Sequence, residues 1–436
     1  MDVVLLITIF IIFILIIASY SIKDLDFVAI SLLGCFLAAT ITGIVKGIGI
    51  EIFVSFIEFP AIIIILSMSI ITKIAQDSNI LEYLAVKLFK ISGGNQRVFF
   101  YLLCLLTTLL AAIISDVVVV LILAPVVVRL CHHLKIRAGT YLLGMTICIN
   151  IGSIITPFSS GENIIISTYF DLDTFFFIRY FWIFSFGLLF LTIFLLDRFY
   201  LMKEPKIDEI QKKLMLDLID ADVMIKDKKM FYFNGISIIV IIILFVVLPL
   251  LYLTAAISAL ILVLVNRSYT KKKMSDLLKD IEWEIIFFFI SLYVVIGCLL
   301  EAGFKEIFEN IPFNKMNIFV ICLLILLIVS FISGIVANTP TALIFLPIVA
   351  TLIEQGVPAV PLFFAFIIGI NIGGNFVPQG AACDMMTLKI AQDSGVENLN
   401  YKRLLKTGFA FAMLHILASI GFLYLLVVWC SIFPCN

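Results

Sequence analysis

Charged residues are scarce in this chain. Asp, Glu, Lys and Arg make up 14% of its 436 residues, whereas a soluble globular domain carries about 25%. The chain also has only three histidines, no long basic tract and no Gly-x4-Gly-Lys-Ser/Thr loop. These absences argue against a soluble domain, a nucleic-acid partner and an ATP-binding loop. The sequence predicts no organic cofactor.

What the chain has instead is long apolar runs. Hydrophobic residues make up 63% of it, and many runs reach the ~20 residues that span a bilayer core of about 30 Å. Residues 3–19 lack the basic start and cleavage site of a signal peptide, so they are predicted to be a first helix. The chain is therefore predicted to be an all-α polytopic protein of the cytoplasmic membrane. Helices are predicted at 3–19, 26–45, 51–73, 79–92, 97–134, 139–170, 174–196, 231–253, 254–266, 283–300, 303–311, 316–355, 360–390 and 407–432.

The order and lengths of these segments occur twice. "SDVVVVLILAPVV" (115–127) aligns without a gap with "ANTPTALIFLPIV" (337–349), and "NIGSIITP" (150–157) aligns with "NIGGNFVP" (371–378). Two polar blocks in almost the same register indicate an internal duplication. The sequence predicts a first repeat, a mixed-charge cytoplasmic linker and a second repeat, at residues 1–196, 197–230 and 231–436.

Lys and Arg near the ends of the segments predict the orientation. Basic residues collect at 73–97, 129–137, 197–230, 267–280 and 389–406, and such stretches usually face the cytoplasm. This arrangement requires 97–134 and 316–355 to be re-entrant hairpins that enter from opposite sides. Each repeat then keeps five spans, and the odd number inverts the second repeat. The prediction is ten spans, two opposed hairpins and both termini outside.

Four apolar segments are interrupted by polar residues. The interruptions are predicted at Ser115-Asp116, Thr156–Gly161, Ala337–Pro340 and Gly373–Gly380. Unwound backbone is not tolerated against lipid, so it must be buried in protein or line a cavity. A single Gly-Pro pair could be only a kink or a close-packing point. Four interruptions in duplicate favour the paired, discontinuous helices that form substrate sites in secondary transporters.

Three carboxylates, Asp116, Glu162 and Asp384, lie at these interruptions, and no Lys or Arg accompanies them there. An acid inside a membrane usually faces a cavity, a partner or an ion, although each could be a protonated carboxyl that donates one structural hydrogen bond. Oxygen-rich surroundings without imidazole suit hard cations, so Na⁺ or H⁺ is expected as the coupling ion. The candidate binding residues are Ser115, Asp116, Asn150, Ser153, Thr156, Ser159, Glu162, Asn163, Asn338, Thr339, Asn371, Asn375, Gln379 and Asp384. Within this set the Na⁺ candidates are Asp116, Asn150, Asn338 and Asn371.

At these residues the chain resembles the ion transporter superfamily, which includes arsenite permeases, NhaD-type sodium/proton antiporters, and citrate and dicarboxylate symporters. "SDVVVVLILAP" and "ANTPTALIFLP" resemble the hairpin tips, and "NIGSIITPFSSGEN" and "NIGGNFVPQGAACD" resemble the discontinuous helices. "IEWEIIFFFISLYVVIGCLLEAGF" (281–304) resembles the helix before the second hairpin in arsenite permeases. The resemblance implies a scaffold domain, a moving transport domain, elevator-type alternating access and a homodimer.

The motifs also depart from those of the dicarboxylate symporters. Those proteins carry Ser-Asn-Thr at both hairpin tips, whereas this chain has Ser115-Asp116-Val117 and Ala337-Asn338-Thr339. After the first break they carry Pro-Pro-Asn, and this chain has Gly161-Glu162-Asn163. An acid at the first tip is more similar to the arsenite permeases and NhaD-type antiporters. The leading prediction is a secondary transporter of a small ion or anionic solute, coupled to Na⁺ or H⁺ with Asp116 and Asp384 as the coupling carboxylates, and Na⁺/H⁺ exchange is the alternative. A passive channel and an intramembrane aspartyl protease are disfavoured, the latter because its Gly-x-Gly-Asp signature is missing.

Overall fold

The computed structural model describes residues 2–22, 25–207, 209, 212–213, 216, 221–248, 250–270, 273–309, 311, 313 and 316–432. Within these ranges the regular structure is helical. The described residues of the first half form eleven α-helices: α1 Val3–Ser21, α2 Phe27–Lys46, α3 Ile50–Ser55, α4 Phe59–Asp77, α5 Ile80–Ile91, α6 Gln96–Ala111, α7 Asp116–His133, α8 Gly139–Gly152, α9 Gly161–Phe170, α10 Thr174–Tyr180 and α11 Trp182–Phe199.

The second half repeats the order of long and broken helices. Its helices are α12 Lys228–Val247, α13 Leu251–Thr270, α14 Met274–Lys279, α15 Trp283–Glu301, α16 Phe304–Glu309, α17 Ile318–Val336, α18 Asn338–Glu354, α19 Ala359–Gly373, α20 Ala382–Asp393 and α21 Tyr401–Ile432. We call α6–α7 and α17–α18 the first and second hairpins. We call α8–α9 and α19–α20 the first and second broken segments. A helix break occurs at each of the four predicted interruptions.

Ten helices of the described part are long and apolar enough to span a membrane. They are α1, α2, α4, α7, α11, α12, α13, α15, α17 and α21. The number equals the predicted number of spans, but the set differs, because it includes one arm of each hairpin and omits the broken segments. No helix of the broken segments is long enough to span a membrane by itself, because each segment consists of two shorter helices. The polytopic all-α class is confirmed, and the re-entrant path of the hairpins remains a prediction.

Several predicted helix boundaries were wrong by a few residues. The predicted helix 51–73 is divided into α3 and α4 between Ser55 and Phe59. Pro60 lies in the first turn of α4, where its missing N–H costs nothing, whereas inside a longer helix it would break a hydrogen bond. The predicted helix 174–196 is likewise divided at Phe181.

Two further boundaries shift in the second half. The predicted boundary between 253 and 254 lies instead between Val247 and Leu251. The last helix begins at Tyr401 rather than at residue 407. Its start is polar, and a prediction based on apolar runs does not include polar residues at a helix end.

The packing between the two halves is reciprocal, because each of two equivalent helices contacts the counterpart of the other's partner. α2 packs against α15, and α13 packs against α4. In the same way α7 packs against α20, and α18 packs against α9. This reciprocal packing is consistent with a two-fold related inverted repeat.

The predicted linker, 197–230, is only partly within the described residues, because 208, 210–211, 214–215 and 217–220 lie outside them. The described part includes the end of α11, short 3-10 turns at Leu201–Lys203 and Ala221–Met224, and the start of α12. Its first residue, Asp197, is buried and forms an ion pair with Arg97 at the start of α6. The linker is therefore anchored to the first hairpin, and the domain boundaries at 196 and 231 stay predictions.

Candidate transport site

Four helices begin at the wall of one cavity. The first turns of α7, α9, α18 and α20 contribute Asp116, Glu162, Asn338 and Ala382 to this wall. The cavity has a volume of about 350 Å³, which lies within the range of small-molecule sites. Free N–H groups and partial positive charge collect at helix N-termini, so the breaks bring four such ends to one place.

Asp116 is half-buried in the cavity wall at the first position of α7. Among the described residues it takes part in no ion pair, and no side chain of another residue donates a hydrogen bond to it. Ser115, the preceding residue, is exposed and also lines the cavity. Asp116 is therefore a carboxylate that faces the cavity with its oxygens available to a proton or a cation.

Glu162 is held by the tip of the opposite hairpin. Its carboxylate accepts hydrogen bonds from Nδ2 of Asn338 (3.1 Å) and from the hydroxyl of Thr339 (3.4 Å). The other amide atom of Asn338, Oδ1, accepts from the hydroxyl of Ser333 (2.7 Å). These bonds join the first broken segment to the second hairpin and leave Glu162 less available to a ligand than Asp116.

Ala337 occupies strained backbone at the tip of the second hairpin. Its φ of 86° and ψ of 159° lie in a region that is essentially restricted to glycine. The residue lines the cavity and precedes the first turn of α18. Strain of this kind persists only where surrounding structure holds it, and the hydrogen bonds from Asn338 and Thr339 to Glu162 are among the contacts that hold this tip.

Asp384 lies outside the cavity wall. It is 1% exposed, in the first turn of α20, and accepts a hydrogen bond of 2.5 Å from the hydroxyl of Thr146 on α8. The sequence alignment makes Asp384 the equivalent of Asn163, and both are buried between the broken segments. The structure thus separates Asp116, which faces the cavity, from Asp384, which is enclosed.

Buried asparagines connect the two broken segments to each other. Asn150 donates to Oδ1 of Asn375 (2.8 Å), and Asn371 donates to Oδ1 of Asn163 (3.0 Å). Two amide atoms, Oδ1 of Asn371 and Nδ2 of Asn375, are buried and have no hydrogen-bond partner within the described ranges. Of the four Na⁺ candidates, the structure places Asp116 and Asn338 in the cavity wall, and Asn150 and Asn371 in this buried contact.

The polar residues of the first break satisfy the unwound backbone. Nδ2 of Asn163 donates to the carbonyl oxygens of Ser153 (2.6 Å) and Thr156 (3.0 Å). The hydroxyl of Thr156 donates to the carbonyl oxygen of Ala112 (2.6 Å), and that of Ser159 to the carbonyl oxygen of Ser153 (2.6 Å). Ser159 also lines the cavity. These contacts support the break rather than present ligand atoms.

Gln379 is not brought to the site. Its side chain is exposed and accepts a hydrogen bond from the hydroxyl of Tyr401 on α21 (2.8 Å). The residue lies in the 3-10 turn Pro378–Gly380, whose middle position points away from the cavity. Its amide therefore ties the second broken segment to the last helix.

We expect Asn163→Ala to lower the free energy of unfolding by about 1–3 kcal/mol, because it removes two buried hydrogen bonds to the unwound backbone, and the single hydroxyl proton of Ser159 can serve only one of the two carbonyl oxygens. Gln379→Ala is the matched control, since exposed substitutions usually stay within about 0.5 kcal/mol. Thermal unfolding of both variants in the same detergent checks this. Equal melting temperatures for the two variants would contradict the role assigned to Asn163.

The sequence reasoning missed one whole wall of the cavity. Ser69, Thr72, Lys73 and Gln76 of α4 all line it, and their spacing puts them on one face of the helix. Lys73 forms an ion pair with Asp280 (3.1 Å) just before α15. That i, i+3, i+4, i+7 spacing of polar residues in an apolar helix is the signal that could have identified this wall.

The cavity lining is acidic overall. The carboxylates of Asp116, Glu162, Asp280 and Glu282 face a single cation, Lys73, among the described lining residues. No Lys or Arg lies next to the breaks in the sequence, as expected. In the structure, however, α4 brings Lys73 to the same cavity. The excess of acid favours a cation as one of the species that the site binds.

Comparisons with known proteins identify the relatives of the chain. The family model described as citrate transporter, CitMHS, matches residues 9–331. An uncharacterised transporter of Mycobacterium tuberculosis is 25% identical over 347 residues, which is 78% of this chain and 80% of that protein. A 46 kDa membrane protein of Mycobacterium leprae is 24% identical over 387 residues, or 85% of this chain and 86% of that protein.

The fold also resembles a solved structure. The YdaH transporter of Alcanivorax borkumensis superposes with a TM-score of 0.61 and 11% identity, covering 87% of each chain. An identity this low shows the fold alone. The family match and the relatives show a multi-pass transporter of the cytoplasmic membrane and not an enzyme. The chain belongs to the citrate transporter family, CitMHS.

Proposed function

We propose that the chain is a secondary active transporter that moves a small solute through this cavity, coupled to Na⁺ or H⁺. The observation that carries the proposal is the carboxylate of Asp116, which lies in the cavity wall at a helix start and has no ion-pair partner in the part of the chain that the structure describes. Binding of a proton or Na⁺ there would remove an uncompensated charge inside the membrane, which is costly. Occupancy of the site would thereby be linked to the movement of the protein.

The packing supports elevator-type alternating access. The hairpins and broken segments pack mainly among themselves, through α6 with α8, α17 with α19, α7 with α20, and α9 with α18. The helices α1, α2, α4, α12, α13 and α15 form a second set of mutual contacts. The cavity lies between the two sets, so sliding of the first set against the second would carry the site across the membrane. In this proposal the second set is also the scaffold on which a homodimer would form.

The proposed substrate is a small anionic solute, and citrate is the first to test because of the family's description. An acidic cavity would repel an anion, so a cation must enter with it or before it. Na⁺/H⁺ exchange is the second candidate, and the acidic excess of the cavity favours it. The two candidates differ in whether an anion stabilises the protein.

The coupling ion can be identified from thermal stability in Na⁺ against matched K⁺ at several pH values. A ligand at about 100 times its dissociation constant adds about 2.7 kcal/mol. A proton competes with Na⁺ for the same carboxylate, so a sodium site should give a Na⁺-specific gain that is largest at high pH and falls as the pH falls. Proton coupling instead predicts the same pH dependence in both salts. Identical curves for the wild type and Asp116→Asn in every condition would refute the proposed site.

A further inference from the structure

One face of α4 forms a polar wall opposite the helix starts. Ser69, Thr72, Lys73 and Gln76 lie on this face, and all four line the cavity. Because the rest of the helix, "FPAIIIILSMSIITKIAQD", is mainly apolar, the four polar residues stand out at helical spacing. We call them the α4 polar face.

Two members of the α4 polar face have unused hydrogen-bonding groups. Thr72 is only 4% exposed, yet its side chain has no hydrogen-bond partner among the described residues. The same holds for the amide of Gln76, which is half-buried. Buried polar groups are normally paired, so these groups are available to a ligand in the cavity.

Lys73 is held by a partner that it can exchange. Its ammonium lies 3.1 Å from Oδ2 of Asp280, and the two side chains are 27% and 45% exposed. A solvent-accessible pair of this kind contributes little to stability. A second carboxylate that enters the cavity could therefore replace Asp280 at small cost.

We infer that Lys73 is the residue that selects an anionic substrate, with Thr72 and Gln76 as additional hydrogen-bond donors. Asp280 is its counterion in this structure and competes with the substrate. The ligand class is a small anion with charge on oxygen, such as a carboxylate or phosphate. This inference rests on the proposed function, and it places the anion against α4 and the cation at Asp116, on separate walls of the cavity. Because α4 belongs to the second, stationary set of helices, Lys73 contacts the anion as it enters, and the anion leaves Lys73 when the first set slides.

The test measures uptake of labelled citrate, succinate and phosphate into proteoliposomes. Lys73→Met should raise the KM for the transported anion by about tenfold or more, as expected for loss of a hydrogen bond to a charged group. Asp280→Asn should lower the KM or leave it unchanged, because the competing carboxylate is gone. Lys279→Met is the matched control, since this lysine pairs with Asp276 on an exposed helix nearby, and its KM should equal that of the wild type.

A charge exchange separates substrate binding from a purely structural ion pair. Lys73→Asp combined with Asp280→Lys keeps an opposite-charge pair but moves the cation off the α4 polar face. Anion selectivity should remain lost in this double variant. Recovery of wild-type KM by the exchange, or equal defects in Lys73→Met and Asp280→Asn, would overturn the inference.

The inference and the proposed function can fail separately. If none of the three anions is transported or stabilises the wild type, anion selection by Lys73 is refuted. A stabilisation by Na⁺ or pH that depends on Asp116 would in that case still support the proposed coupling. Loss of that cation effect would refute the proposed function, whatever the behaviour of Lys73.

Discussion

Asp116→Asn is expected to abolish coupled uptake and to leave a folded protein. Asparagine has nearly the same shape as aspartate but cannot take up a proton or carry the charge that attracts Na⁺. Because Asp116 forms no ion pair among the described residues, the substitution breaks no such contact and removes an uncompensated charge, so we expect the variant to be at least as stable as the wild type. Uptake driven by a Na⁺ gradient and by a pH gradient should both be measured in proteoliposomes.

Glu284→Gln is the matched control for this experiment. Glu284 is also a carboxylate in the first turn of a helix, but it is exposed and does not line the cavity. The control should keep full uptake, which separates the effect of the cavity carboxylate from that of any helix-start acid. Full gradient-driven uptake in Asp116→Asn would remove this residue from the mechanism.

Asp384→Asn gives the comparison within the site. An asparagine there can still accept the hydrogen bond from Thr146, so the contact between α8 and α20 should survive. Since Asp384 is enclosed, it can exchange a proton only when that contact opens. We therefore expect a smaller loss of uptake than in Asp116→Asn, and an equal loss would show that both carboxylates take part in coupling.

The breaks and their acids could be predicted from the sequence because their cause is local. Polar residues, glycine and proline interrupt apolar runs, and a membrane interior tolerates unwound chain only inside protein. Asp116 and Glu162 follow two of these breaks directly, so they begin helices and reach the cavity. The duplicated motifs likewise led from one break to its equivalent.

The residues that sequence reasoning misplaced depend on contacts between distant elements. Asp384 occupies a position equivalent to Asn163, yet it is buried against Thr146 of another helix and does not line the cavity. Gln379 lies within a break but bonds outward to Tyr401. Lys73 lies far from any break and reaches the cavity only because α4 packs beside α9. The residue types alone do not determine these contacts, since each contact depends on how helices from separate segments pack.

The second large effect is expected at two equivalent glycines, Gly152 and Gly373. Each closes the first helix of a broken segment, and a Cβ atom there would overlap the backbone of the preceding hairpin, at Thr108 and Ser330 respectively. Backbone in a packed helix cannot move aside as a flexible side chain can. The same close approach therefore occurs in both halves of the chain.

We expect Gly152→Ala and Gly373→Ala each to lower the free energy of unfolding by about 1–3 kcal/mol, as overpacking does. The controls are Gly187→Ala and Gly235→Ala, which lie in α11 and α12 with nothing within 4 Å of the added Cβ. Alanine favours a helix over glycine by about 1 kcal/mol, so the controls should be neutral or more stable. Opposite signs for the two pairs in thermal unfolding would establish that each hairpin positions its broken segment by backbone contact. Equal melting temperatures would instead mean that the helices can separate there without loss, and the cavity would then depend on the asparagine contacts alone.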